Sequence, residues 1–259
     1  MNLSIITVNF NNKEGLLSTV DSVKSISGLE YSQFIVDACS KDLNNEFWYK
    51  IKSDKLDYVS EKDRGVYDGM NKGAKFTTGD YLFFLNSGDT LLDSNSLTSL
   101  SFHMPTYDLI YGDVNLTIGH KSTPYIYPEH ITLDYMLVYG LPHQATLIKR
   151  SLFDKIGGYS VDYKIISDWV FFMEALFYHN ASYKYVPSLI TNFNGEGMSQ
   201  QSQNIKLIIK EQIDYISKRF PEKLKYYKLN SPYVKKYFRR MPRWQRFIKQ
   251  FLFNQFNIV

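Results

Sequence analysis

Three polar segments near the start of the chain have the residue types and spacing to handle a phosphorylated ligand. The first is Asp37, which closes an apolar run and is followed by the polar turn Ala38-Cys39-Ser40-Lys41-Asp42. A carboxylate in that place can accept a hydrogen bond from a base or a ribose, although Asp also caps ordinary turns. The second is Ser60-Glu61-Lys62-Asp63-Arg64-Gly65-Val66-Tyr67-Asp68-Gly69-Met70-Asn71-Lys72-Gly73, which gathers charge and glycine ahead of a helix. Backbone N–H groups at a helix start, with basic side chains beside them, can face an anion; a solvated loop would have the same composition. The third is Asn86-Ser87-Gly88-Asp89. A lone carboxylate after a buried strand suits a hard divalent cation shared with phosphate oxygens, and a β-turn uses Asp there as well.

For these segments to meet, each has to end a strand of one sheet. Leu3–Val8 is apolar on both faces and predicts a buried strand, bounded by Asn9-Phe10-Asn11-Asn12. Asn12–Ser25 has helical spacing, with Leu16, Leu17, Val20 and Val23 on one side. Further strands are predicted over Gln33–Asp37, Leu56–Ser60 and Tyr81–Leu85, and a helix over Val66–Thr77. Strands alternating with helices imply βαβ units, hence an α/β fold with a mostly parallel sheet flanked by helices. Ligands of such sheets bind at the carboxyl ends of the strands, where Asn9, Asp37, the run from Glu61 to Arg64, and Asp89 all fall. Later the pattern is less regular. Strands are expected over Ile110–Val114 and Ala145–Ile148, a Pro- and Tyr-rich loop over Ser122–Pro128, a short helix over Ser151–Ile156 and an aromatic helix over Asp168–Tyr178.

The chain has 259 residues, 44% hydrophobic, which is ample for a full core. Its single cysteine, Cys39, excludes a disulfide framework and a multi-Cys zinc site, and suits a reducing compartment. No signal peptide and no membrane-spanning run is expected. The net charge of +4 conceals an asymmetry. From Lys218 to Val259 there are 12 Lys or Arg against one acid, Glu222, a balance of +11, which leaves the body at −7. The expected organisation is therefore a domain over residues 1–217 and a basic helical tail over 218–259. In the tail Trp244, Phe247, Ile248, Phe251, Leu252 and Phe256 share one helical face, and Arg243, Arg246 and Lys249 lie mostly elsewhere. A basic, aromatic amphipathic helix of this kind is expected to dock on an anionic membrane surface. Nucleic acid is not an expected partner, because no recognition motif accompanies the charge.

Taken together, the motifs resemble glycosyltransferase family 2 with the GT-A fold, in the branch that assembles bacterial capsule, exopolysaccharide and O-antigen repeats. The resemblance rests on the Thr7-x-Asn9 strand end, the Asp37-x-x-Ser40-x-Asp42 turn, the long Ser60–Gly73 block and the Phe84-Leu85-Asn86-Ser87-Gly88-Asp89 turn, and covers about residues 1–200. It implies that Thr7 and Asn9 line a nucleotide pocket and that Asp37 pairs with a uracil ring. Asp63, Arg64, Asp68, Asn71 and Lys72 would sit beside the nucleotide and its diphosphate, with Asn86 also on the donor side. Asp89 would hold a divalent metal, Mn²⁺ or Mg²⁺. Asn86 and Gly88 replace acids common in the wider family, so donor diphosphate is expected to supply more of the metal's ligands. Asp168, in Ser167-Asp168-Trp169 after Gly157-Gly158-Tyr159, matches the catalytic base. A helix start also favours an acid at that position. His143-Gln144 fits a pair expected near acceptor or metal, and a structural histidine after the Pro142 turn fits as well. Gly195-Glu196-Gly197-Met198-Ser199 resembles a loop that closes over the donor.

The chemistry so implied is an inverting transfer of a hexosyl or N-acetylhexosaminyl group from a UDP-sugar to a hydroxyl of a lipid-linked saccharide. It would take place in the cytoplasm, on the inner face of the plasma membrane. Three other classes share parts of this pattern. A nicotinamide dehydrogenase needs Gly-x-Gly-x-x-Gly after the first strand, and Asn9-Phe10-Asn11-Asn12-Lys13-Glu14-Gly15 stands there instead. A sugar nucleotidyltransferase would open with a Gly- and Arg-rich phosphate loop, which is absent. A non-catalytic binding module on a degenerate transferase sheet stays open because of Asn86 and Gly88.

Overall fold

The computed structural model describes residues 1–119, 121–195, 202–239 and 253. The elements run β1 (Leu3–Asn9), α1 (Lys13–Lys24), β2 (Tyr31–Asp37), α2 (Asn45–Ile51), β3 (Leu56–Ser60), α3 (Val66–Phe76) and β4 (Tyr81–Phe84). Then come β5 (Thr90–Leu91), α4 (Ser96–Ser101), β6 (Leu109–Ile118), β7 (Lys121–Tyr125), α5 (Leu133–Val138), β8 (Thr146–Lys149) and α6 (Arg150–Ile156). The chain continues with α7 (Ser167–Phe177), β9 (Tyr183–Asn194), α8 (Ile205–Arg219), α9 (Leu224–Asn230) and α10 (Pro232–Arg239).

One sheet carries them in the order β3-β2-β1-β4-β8-β6-β9-β5, with β7 paired to β6. The expected parallel arrangement holds for β3-β2-β1-β4. Beyond β4 the sheet becomes mixed: β8 is antiparallel to both β4 and β6, and β9 is parallel to β6. The loop expected over Ser122–Pro128 is partly strand, because β7 turns back on β6 as a hairpin. Every residue of β7 is exposed, so no alternation of buried residues marks it in the sequence.

Local chemistry accounts for the elements nearest the site. Asn12 caps α1, its Oδ1 accepting from Gly15 N at 3.1 Å, and its Nδ2 donates to the carbonyl of Ser87 at 3.2 Å. Thr19, one turn further on, donates to the carbonyl of Asp89 at 2.7 Å and accepts from Gly88 N at 3.0 Å. The start of α1 thus fixes the turn after β4. Helix α3 lies directly on β1 because its inner face carries glycine. A Cβ on Gly69 would stand 2.8 Å from Val8, and one on Gly73 only 2.4 Å from Ile6. Two glycines of the long motif are therefore packing residues.

The main core joins α3, α7, α8 and α10 to the sheet, and includes Tyr227, Val234, Phe238 and Phe253. The domain boundary expected at 217/218 accordingly falls inside α8, and residues 218–239 pack as part of the body. Except for Phe253, the tail residues from Arg240 onward lie outside the described residues. So do Glu196, Gly197, Met198 and Ser199 of the expected loop. Among the described residues no helix is long and apolar enough to cross a membrane.

Candidate active site

The turn Asn86–Asp89, the segment His143–Gln144 and the first turn of α7 border a single pocket of about 390 Å³. This is within the range of small-ligand sites. Asp89 is held from two sides, by Thr19 on α1 and by Asn194 N, which donates to its Oδ1 at 2.9 Å. Only 6% of Asp89 is exposed. Burial raises its carboxyl to about 6, against the opposing pull of the Asn194 N–H and of His143. Beside it the Oδ1 of Asn86 is buried without a hydrogen-bond partner. A desolvated carboxylate next to an orphaned carbonyl oxygen is a donor set that suits a hard cation. Among the described residues no three His, Cys, Asp or Glu converge, so these two oxygens would be a minority of any cation's ligands.

Asp168 sits in the first turn of α7, where the helix dipole favours an acid. Its Oδ2 lies 3.1 Å from His143 Nδ1 and its Oδ1 lies 2.7 Å from the Tyr67 hydroxyl. Burial pushes the carboxyl up, but His143, through its hydrogen bond and charge, and the Tyr67 hydroxyl outweigh it, so Asp168 is lowered. For His143 burial works downward, and the bond and charge of Asp168, with the charge of Asp89, leave the imidazole raised. The two shifts agree in direction, as expected of a carboxylate and an imidazole that share a hydrogen bond. On its far side His143 Nε2 is 3.5 Å from the Asn86 amide, which places the histidine between the turn after β4 and α7. Gln144, 5% exposed, also lines the pocket.

The other expected residues gather at the carboxyl ends of β2 and β3. Asp37 is fully buried and saturated. Its Oδ1 accepts from Asn9 Nδ2 at 2.9 Å and Ser40 Oγ at 2.5 Å, and its Oδ2 accepts from Ser40 N at 3.0 Å and Ser60 Oγ at 2.7 Å. All four of these donors are the protein's own, and two of them are the hydroxyls of Ser40 and Ser60. Thr7 is also fully buried, its hydroxyl accepting from Gln33 Nε2 at 3.0 Å, so it braces β1 against β2. Asn71, half-buried, donates through its amide to the Tyr159 carbonyl at 2.7 Å and accepts from Tyr159 N at 2.9 Å, and so holds the loop before α7.

The charged residues of the block form a rim. Arg64 pairs with Asp68 at 2.9 Å, and Lys72 reaches Glu61 at 2.9 Å and Asp68 at 3.7 Å. Asp63 accepts from Gly65 N at 3.0 Å. Burial, then the charges of Asp68 and Asp37, raise its carboxyl against the pull of that N–H and of Lys72.

Sequence reasoning missed several groups of the site. Tyr67 stands inside the long motif, where its own type could have drawn attention. Glu211 and Gln212 on α8, and Tyr233 on α10, carry no local signal. Glu211 accepts from Lys164 N at 2.8 Å and Ile165 N at 3.1 Å, and so clamps the approach to α7. Gln212 and Tyr233 line the pocket.

Comparison with known proteins agrees with this geometry. The family model of Glycosyl transferase family 2 matches residues 4–172. A PGL/p-HBAD biosynthesis glycosyltransferase of Mycobacterium bovis is 29% identical over 203 residues, covering 75% of this chain and 77% of the relative. Among solved structures, S. aureus TarS 1-349 in complex with UDP-GlcNAc superposes with a TM-score of 0.68 at 15% identity, over 96% of this chain and 79% of that one. The mannosyltransferase PcManGT from Pyrobaculum calidifontis, in complex with GDP-Man and Mn²⁺, gives 0.65 at 11% identity, over 99% and 88%. Both likenesses concern the fold.

Proposed function

Because the chain belongs to glycosyl transferase family 2, we propose that it moves a hexosyl or N-acetylhexosaminyl group from a UDP-sugar to a hydroxyl of a lipid-linked saccharide, with inversion, in assembly of a bacterial surface polysaccharide. The observation that carries this reading is the pocket in which a hydrogen-bonded carboxylate, Asp168, faces a desolvated one, Asp89, across His143. Two carboxylates in opposite electrostatic settings suit two different tasks.

Asp168 is the general base. The acceptor hydroxyl gives its proton to the carboxylate as its oxygen forms a bond to the anomeric carbon. The bond from that carbon to the diphosphate breaks on the opposite face, and its electron pair leaves with the diphosphate. Held below the usual carboxylate range, Asp168 is ionised at neutral pH and ready to accept. His143 fixes its orientation through Nδ1. Asp89, with the Asn86 amide oxygen, would hold a divalent cation, which when bound supplies positive charge to the leaving diphosphate. Arg64 and Lys72 stand on the nucleotide side, and Asp37 serves the base through the hydroxyls of Ser40 and Ser60. The cytoplasmic face of the plasma membrane is where the lipid-linked acceptor would be met.

Release of UDP from UDP-GlcNAc, in the presence of Mn²⁺ or Mg²⁺ and with saccharide acceptors, tests the reading. Asp89→Asn should lose metal-dependent donor binding. Asp168→Asn should bind donor normally yet lose turnover by roughly a hundredfold or more, as expected of a group that acts mainly in the transition state. Near-normal turnover in Asp168→Asn would leave Asp168 a helix-start acid.

A further inference from the structure

The Tyr67 hydroxyl faces two acceptors with one proton. Its oxygen lies 2.7 Å from Asp168 Oδ1 and 2.7 Å from the carbonyl oxygen of Ile165. A phenol donates a single hydrogen bond, so it cannot donate fully to both. The ring is fixed: Tyr67 is 7% exposed, α3 is seated on β1 at Gly69 and Gly73, and the Tyr159 ring lies 5.5 Å away. The second acceptor is fixed as well, because Glu211 takes the N–H groups of both Lys164 and Ile165. Two rigid acceptors around one hydroxyl are satisfied together only when one of them brings a proton of its own. A carboxylic acid can do that and a peptide carbonyl cannot.

We propose that Tyr67 is the hydrogen-bond partner of Asp168 in both of its protonation states, with the Ile165 carbonyl, held by Glu211, as the alternative acceptor for the tyrosine proton. The proposal rests on Asp168 being the base. Before transfer, Tyr67 donates to the Oδ1 of the carboxylate. After Asp168 has taken the proton from the acceptor hydroxyl, the acid proton turns to the Tyr67 oxygen and the Tyr67 proton turns to Ile165 O. No proton is gained or lost by the pair beyond the one transferred. Tyr67 is thereby a positioning residue that supports the base in each half of its cycle, and Glu211 supports it from α8, outside the span matched by the family model. The other titratable groups around Asp168 are His143 on the segment before β8, Tyr159 in the loop before α7 and Tyr233 on α10, with Asp89 beyond His143.

A carbon-13 NMR titration of the full chain without ligands tests this, so its outcome does not depend on donor or acceptor. The Asp168 carboxyl and Tyr67 Cζ signals are assigned by their loss in Asp168→Asn and Tyr67→Phe. The expected result is that Tyr67 Cζ shifts with the same midpoint as Asp168. Tyr67→Phe should raise that midpoint, because the bond lost from the carboxylate is charge-assisted and the one lost from the acid is not, by less than the roughly 1 to 2 pH units of a whole charge-assisted hydrogen bond. Glu211→Ala should lower it, because it loosens the acceptor that the protonated state needs. A Tyr67 Cζ signal that stays flat while Asp168 titrates overturns the proposal; should Tyr67→Phe not fold, the same signal is identified by its displacement in Asp168→Asn. An unchanged or raised midpoint in Glu211→Ala confines Glu211 to the fold and overturns its part. Where acid unfolding comes first, His143→Gln removes the neighbouring cation and lifts the midpoint into the folded range. The reading of Asp168 as base is tested separately, by UDP release from Asp168→Asn.

Discussion

The carboxyl of Asp89 illustrates how a functional residue works against the stability of its own fold. Burial raises it to about 6, which means that the folded protein holds a proton the unfolded chain releases near 4. Stability therefore falls as pH rises through that window, and at neutral pH the cost is about 3 kcal/mol. Asp89→Asn keeps an oxygen for the Asn194 N–H and removes the charge. The variant is expected to melt several degrees higher than the parent at pH 8 and nearly level with it at pH 4, by scanning calorimetry. An equal gain at both pH values would show that the carboxylate is not the source. Asp37 makes the contrast, since four donors compensate its burial and tie β1, β2 and β3 together at their carboxyl ends. Type and strand-end position announce both acids in the sequence. Which one is saturated and which is left desolvated depends on where packing brings Ser40, Ser60 and Asn194, which their places in the sequence do not tell.

At the scale of elements, α3 shows a motif that serves packing and chemistry at once. Its charged outer residues invite a reading as an anion site, yet Gly69 and Gly73 are required by Val8 and Ile6. Replacing Gly73 by Ala improves helix propensity by about 1 kcal/mol. The added methyl, 2.4 Å from Ile6 Cγ2, sits against a strand that cannot give way. Overpacking of this kind costs roughly 1–3 kcal/mol, so the net effect is destabilising. Urea denaturation should show a lower midpoint for Gly73→Ala, and a rise would mean that β1 and α3 separate freely. The strands of the first half were legible because they are continuous apolar runs ended by polar turns. By contrast β7 is wholly exposed and β9 is only partly buried over most of its length, so neither shows the pattern from which strands are inferred.

For the whole molecule, the C-terminal helices belong to the body. Ile208 and Ile209 of α8, Tyr227 of α9 and Phe238 of α10 lie in the main core, and Lys228 Nζ donates to the Phe253 carbonyl at 2.7 Å. A chain ending at Ser217 would expose that core, and is expected to melt well below the full chain or to aggregate. We propose that the basic tail attaches the protein to anionic lipid, at about 1 kcal/mol per basic residue near the surface. The full chain should then sediment with anionic vesicles, but not neutral ones, at low salt. No binding to anionic vesicles would remove the membrane from the proposal.

The sequence by itself determined the α/β class, the strand ends at which polar groups collect, and the acids Asp89 and Asp168 as candidates. All but Asp168 follow from residue type and from periodicity within a dozen residues; Asp168 is a candidate through the family resemblance of the Ser167-Asp168-Trp169 segment. Only the tertiary structure decided that Asp168 is paired with His143 and Tyr67, that Thr7 faces inward, that Asn71 is bonded to the backbone of Tyr159, and that α8 and α10 line the pocket. Those contacts join residues 25 to 101 positions apart in the chain, as with His143 and Tyr67 around Asp168. Burial, charge pairing and hydrogen-bond saturation depend on what packing brings alongside, and no local pattern of residues carries that information.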